Sequence, residues 1–244
     1  MPLPKIAAPT YELELPSTGK TIKYRPFLVK EEKILIIALE SQDTKQITNA
    51  IKQVLSDCIL TRGVKVEELP TFDIEYIFLN VRGKSVGENI DLIVTCYDDG
   101  ENTQVPVTVY IDEIKVQTNP EHTKDISLDS KLVLRMKYPS LDQFIKNNFD
   151  FGGVIETGSN IEKSFDIIAS CIDVIFNDED SWAAKDCTKK ELVDFIEQMN
   201  SSQFKKIENF FDTMPKLSHT VKVKNPKTGA INEIELEGLT SFFG

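Results

Sequence analysis

Cys96 opens one glycine-closed turn, Cys96-Tyr-Asp-Asp-Gly100, and Asn225 opens another, Asn225-Pro-Lys-Thr-Gly229. In each the glycine stands four residues after the first member. Zinc ribbons set paired thiolates on two such turns so that four sulfurs close a tetrahedron around the metal. Here the first turn supplies only Cys96, and the second holds Asn225 and Thr228 where thiolates would stand. The residue types predict two ribbon-like hairpins that lack metal ligands and keep their shape by packing.

The other residues capable of chemistry are scattered. Cys58, Cys96, Cys171 and Cys187 come no closer than 16 positions, which gives neither a CxxC pair nor a disulfide framework. Cys58 and Cys171 fall on apolar helix faces, where a reduced thiol acts as a small hydrophobe. The two histidines, His122 and His219, have no G-x-S-x-G serine to activate, and no glycine-rich loop follows a phosphate-binding pattern. The carboxylates of Asp178-Glu179-Asp180 read as a solvated loop. With no convergent acid, base and nucleophile, the expectation is a chain without catalytic residues, cofactor or metal, hence not an enzyme.

The turns sit in a repeated order of elements. An apolar-striped helix (Phe72, Ile74, Ile77, Phe78, Val81) precedes strands 90–96 and 105–111; a second (Phe204, Ile207, Phe210, Phe211, Met214) precedes strands 220–224 and 231–236. Phe204, Ile207 and Phe211 are the expected anchors of the latter. Upstream, Tyr11 to Leu15 and Thr21 to Phe27 alternate about the turn Pro16-Ser-Thr-Gly19. Helices follow over 30–40 and from Asp43, which can cap a face of Ile47, Ile51, Val54, Leu55, Cys58 and Ile59. A strand is expected over 131–137 and a short helix over 141–147. Ile161, Phe165, Ile168, Ile172 and Ile175 share one helical stripe, and Thr188 with Glu191 forms a capping box before Leu192, Phe195, Ile196 and Met199.

The fold class that follows is α+β, with two helix-plus-hairpin lobes. Paired glycines in Phe149-Asp-Phe-Gly-Gly153 break regular structure. The expected division is a lobe over 1–148, a hinge over 149–158 and a lobe over 159–244.

Hydrophobic residues make up 41% of the 244 and charged ones 27%, too apolar for disorder. A net charge of −11 opposes nucleic acid and anionic membrane, leaving proteins as the expected partners. The longest apolar run, Ile34 to Leu39, is far short of the roughly 20 residues that span a bilayer. No apolar signal core follows Met1-Pro-Leu-Pro4, so synthesis in the cytoplasm without export is expected.

Long strings of residues carry a resemblance. The opening Pro9-Thr-Tyr-Glu-Leu-Glu-Leu-Pro-Ser-Thr-Gly-Lys-Thr-Ile-Lys-Tyr-Arg-Pro-Phe-Leu-Val-Lys-Glu-Glu-Lys33 resembles the start of the T4-like bacteriophage baseplate hub family. Phe210-Phe-Asp-Thr-Met-Pro-Lys-Leu-Ser-His219 and Leu236-Glu-Gly-Leu-Thr-Ser-Phe-Phe-Gly244 are similar to its end. The resemblance implies a non-enzymatic hub subunit that assembles the contractile-tail baseplate with other hub or tail proteins. It implies residence in the host cytoplasm during assembly and, for a retained subunit, in the virion tail. The alternative is a transient tail-assembly chaperone that leaves before the virion matures. Some relatives carry paired cysteines in the last turn, and Asn225 and Thr228 depart from that pattern. The terminal apolar residues Leu239, Phe242 and Phe243 are the expected partner-docking group.

Overall fold

The computed structural model describes residues 6–141, 145 and 159–242. Strict alternation makes the first hairpin. Strands β1 (Tyr11–Glu14) and β2 (Thr21–Tyr24) pair antiparallel with Leu13 opposite Ile22. Period two then sends Leu13, Leu15, Ile22 and Tyr24 inward. Gly19 closes the turn at φ +66°, a left-handed conformation that glycine adopts at least cost.

Helix α1 (Val29–Ser41) starts from an internal ion pair. The Glu31 carboxylate is fully buried and accepts from Arg25 Nη2 at 2.8 Å and from the Leu28 amide at 2.8 Å, with Lys30 Nζ at 3.1 Å. Burial alone would raise its pKa. The Arg25, Leu28 and Lys30 hydrogen bonds outweigh that and hold it at about 2. Helix α2 (Thr44–Cys58) is capped as expected by Asp43, which accepts from the Lys45 and Gln46 amides. Gln46 returns its side-chain amide to the Asp43 carboxylate rather than to the backbone. The predicted face of α2, from Ile47 through Cys58, is buried. Burial pushes the Cys58 thiol up to about 12 and that of Cys171 to about 11, so both remain protonated.

Helix α3 (Thr71–Val86) is enclosed on more sides than its sequence stripe implied. Phe72, Ile74, Ile77, Leu79 and Val81 are all buried, as is Asp73. The Asp73 carboxylate receives the amide and hydroxyl of Ser17, which ties the first hairpin turn to this helix.

Strands β3 (Asn89–Cys96) and β4 (Thr103–Tyr110) form the second hairpin. The third, β10 (Lys216–Lys224) with β11 (Ile231–Glu237), gains an antiparallel neighbour in β5 (Lys115–Gln117), with Leu217 opposite Val116. A four-stranded sheet runs in the order β6 (Asp125–Ser127), β7 (Val133–Met136), β8 (Ile172–Phe176) and β9 (Ser181–Ala183).

Strand β8 corrects the sequence reading, which carried one helix through Ile175. Helix α4 (Ser159–Ser170) stops short, and Ile172 to Phe176 pairs with β7 on one side and β9 on the other. Ile168, Ile172 and Ile175 are buried, and their positions also match helical spacing, so the apolar pattern could not discriminate. The β-branched run and the ladder partners on both edges decide for strand. Asn177 to Asp180, expected as a solvated loop, is the turn of this hairpin, with the Asn177 amide donating to the Asp180 carbonyl at 2.9 Å.

Helix α5 (Lys189–Glu197) has the predicted capping box. Thr188 accepts from the Glu191 amide at 3.3 Å, and Glu191 accepts from the Thr188 amide at 2.7 Å. In helix α6 (Ser201–Thr213) Ile207 is buried as expected, but the fully buried phenylalanine is Phe210, while Phe204 and Phe211 are half-buried against the same cluster.

Buried side chains gather in two clusters. The larger joins the first two hairpins, α2 and α3 to Leu217, Val221, Val223 and Leu236 of the last hairpin. The smaller joins Ile126, Leu134 and Met136 to Ile168, Ile172, Leu192, Ile196, Ile207 and Phe210. Each draws on residues from both sides of 149–158, and that expected hinge itself lies outside the described residues. The α+β class holds, with the hairpins of both halves sharing one core.

Candidate functional site at the paired hairpin turns

The two glycine-closed turns meet. Gly100 and Gly229 take φ +66° and +74°, and the Gly229 amide donates to the Asn225 carbonyl at 2.9 Å. From the last turn, fully buried Asn225 donates through Nδ2 to Asp98 Oδ1 at 2.8 Å and to Asp99 Oδ2 at 3.1 Å. Asn232 Nδ2 donates to the same Asp98 oxygen at 2.9 Å. The Thr228 hydroxyl donates to Asp98 Oδ2, and Lys227 pairs with Glu101. Asn225 and Thr228 therefore stand opposite the first turn, as ribbon thiolates would, but join the turns by hydrogen bonds to carboxylates.

Each carboxylate is held in its charged form. Hydrogen bonds from Asn225, then Thr228 and Asn232, lower the Asp98 pKa, while Thr103 and Asn225 hold Asp99 well below the usual carboxylate range. Cys96, fully buried beneath the turn, is pushed the other way by burial and by the nearby Asp98 and Asp99 charges. It is a protonated thiol in the larger core, poorly suited to ligation or attack. Among the described residues no group of three or more His, Cys, Asp or Glu side chains could hold a metal ion. The arrangement fixes one hairpin against the other. Sequence reasoning singled out Cys96, Asn225 and Thr228 but missed Asp98, Asp99 and Asn232, whose partners lie more than 120 positions away.

Asn225→Ala is expected to cost about 1–3 kcal/mol, because the buried carboxylate-facing donor is lost while its acceptors stay. At about 2–4 °C per kcal/mol for a chain of this size, a thermal melt resolves the change. An unchanged midpoint would mean that water replaces the amide without penalty.

The histidines do not come together. His219 Nε2 lies 4.0 Å from Glu113. His122 packs against both Tyr138 and Phe210 in a three-ring cluster, with their ring centroids 5.6 and 5.0 Å away and 5.8 Å from each other. The Thr213 hydroxyl donates its proton to the Asn209 carbonyl, so the 2.9 Å contact with His122 Nδ1 makes that nitrogen the donor. Nε2 is then a buried acceptor, and no partner for it is found among the described residues. Burial, with the Lys124 charge adding to it, lowers the His122 pKa below its ordinary 6.5.

Unfolded chains bind the proton more readily, so this stability is fully present above 6.5 and is lost as pH falls through the depressed folded value. His122→Phe, which keeps the stacked ring, should flatten the stability difference between about pH 8 and about pH 5. The same shift in urea midpoint between the two pH values for parent and variant would refute it.

Of the three expected docking residues, Phe242 is fully buried in the larger core. Its ring belongs to the chain's own interior in this structure, because the short 3-10 turn Leu239–Phe242 folds back beside β11. Leu239 opens that turn, and Phe243 lies outside the described residues. No described helix is long and apolar enough to cross a membrane.

No curated protein and no solved structure matches the chain. A family model described as T4 bacteriophage base plate protein matches residues 8–244. That span takes in the first hairpin, both facing turns and the terminal 3-10 turn, so the chain belongs to the T4 bacteriophage base plate protein family.

Proposed function

We propose that the chain is a non-catalytic subunit of the baseplate hub, which builds the contractile-tail baseplate through contacts with other hub or tail proteins. The carrying observation is how its side chains are used. The polar groups best placed for chemistry at the facing turns are engaged with one another, while Val29, Ile36, Ile37, Ile93 and Tyr97 are left exposed. Val29, Ile36 and Ile37 lie together on one helix, and exposed apolar groups that cluster mark protein contacts more than scattered ones do. Membership in a base plate family supports a place in the phage tail; assembly in the host cytoplasm before incorporation into the virion is part of the proposal.

The test is recovery of a tagged chain from infected cells, with mass spectrometry of its companions and quantification in purified tails. Hub or tail proteins in the pull-down and a fixed subunit ratio in tails support the hub reading. Capture of the same proteins with no chain in finished tails assigns it to a transient assembly chaperone. Capture of no tail protein would overturn both.

A further inference from the structure

Helix α1 is apolar on two faces, and only one is covered. Ala38 and Glu31 are buried, with Ile34 and Leu35 packed against the larger core. On the opposite side Val29 is 81% exposed, Ile36 50% and Ile37 53%. Lys33 and Glu40 share that outer face. The ion pairs formed by this part of the chain are Arg25–Glu31 and Lys30–Glu31, and Lys33 and Glu40 enter none among the described residues.

The spacing of the two charges selects an occupant. Lys33 and Glu40 lie about 10 Å apart along the axis, two turns, which is too far for one to reach the other. Ile36 and Ile37 stand midway between them. A two-fold axis through that midpoint brings a second α1 antiparallel onto the first. It sets Lys33 of each copy opposite Glu40 of the other and puts the isoleucines at the centre. A positive group at one end of the apolar pair and a negative group at the other is self-complementary under that operation and under no parallel arrangement.

We propose that this protein self-associates as a two-fold dimer through the outer face of α1, with Ile36 and Ile37 at its centre and reciprocal Lys33–Glu40 pairs flanking them. A helix of 13 residues offers less than the roughly 800 Å² per partner of a standard interface. The net charge of −11 on each copy also opposes association. The dimer is therefore weak, in about the micromolar range.

Sedimentation velocity on the full chain from about 1 to about 200 µM should show conversion of monomer to dimer. Lys33→Glu and Glu40→Lys, each placing like charges opposite twice, should weaken association at least about tenfold, and the double exchange should restore it to within about threefold. Ile36→Asp should leave a monomer at every concentration. These positions are solvent-exposed, so near-parental melting curves are expected and are checked alongside. A parent that stays monomeric throughout the range overturns the proposal and leaves the face to a different protein. Folded single exchanges that dimerise like the parent, or a folded double exchange that fails to recover, overturn it as well.

Discussion

Phe242→Ala is expected to destabilise the protein by about 3–5 kcal/mol, the usual cost of emptying a buried phenylalanine site. The side chain is fully enclosed in the larger core, so its loss leaves a cavity. For a chain of this size the midpoint should fall by about 10 °C. Thermal melts and soluble yield read the effect directly. A docking role separate from the core makes the opposite forecast: parental melting with failed tail assembly. Phe242→Leu retains most of the volume and should recover most of the stability, which separates packing from a specific requirement for an aromatic ring.

Arg25→Met is expected to cost a comparable amount, about 3–5 kcal/mol, because it strands a buried carboxylate instead of removing a surface charge. Glu31 has no exposed surface and the Arg25 side chain is 13% exposed. Lys30 and the Leu28 amide remain, but the bond that contributes most to holding the carboxylate at about 2 is gone. In the parent this stabilisation is fully present above the ordinary value near 4.5 and is lost as pH falls from there through about 2. The variant should lose stability at neutral pH and begin acid unfolding at a higher pH than the parent. Denaturant midpoints at several pH values check both. If Arg25→Met and parent midpoints coincide, the buried pair contributes nothing over a protonated Glu31.

The features legible in the sequence are those decided within a few residues. Asp43 and Thr188 announce their helices because a cap needs only a side-chain oxygen and the amides two or three positions on. The hairpins at Tyr11–Tyr24, Asn89–Tyr110 and Lys216–Glu237 are marked by strand patterning and a turn glycine, whereas the β8–β9 hairpin has no such glycine and was missed. The readings that failed depend on distant partners. Ile172 and Ile175 fit a helical stripe as well as a strand, and only β7 and β9 settle the matter. Phe210 and Phe211 differ by one step around α6, and the interior position of Phe210 is set by Tyr138 and His122, brought in from far upstream. For Phe242 the rule that terminal residues fray gives way to a turn that packs back onto the core. The facing turns show the same limit: their residue types were read one turn at a time, while the donors and acceptors lie more than 120 positions apart.

The pairing of β10 with β5 has a consequence for biosynthesis. The smaller core holds all its buried residues by Phe210, whereas the larger one lacks Val221, Val223, Leu236 and Phe242 until the β10–β11 hairpin and the turn after it have been translated. The first hairpins therefore emerge from the ribosome well before their packing partners and must wait with apolar faces uncovered. Sequence-distant contacts of this kind slow folding because loop closure precedes any gain from packing. A nascent chain arrested before Lys216 would contain a finished middle and an open beginning, a folding order that runs against the order of synthesis.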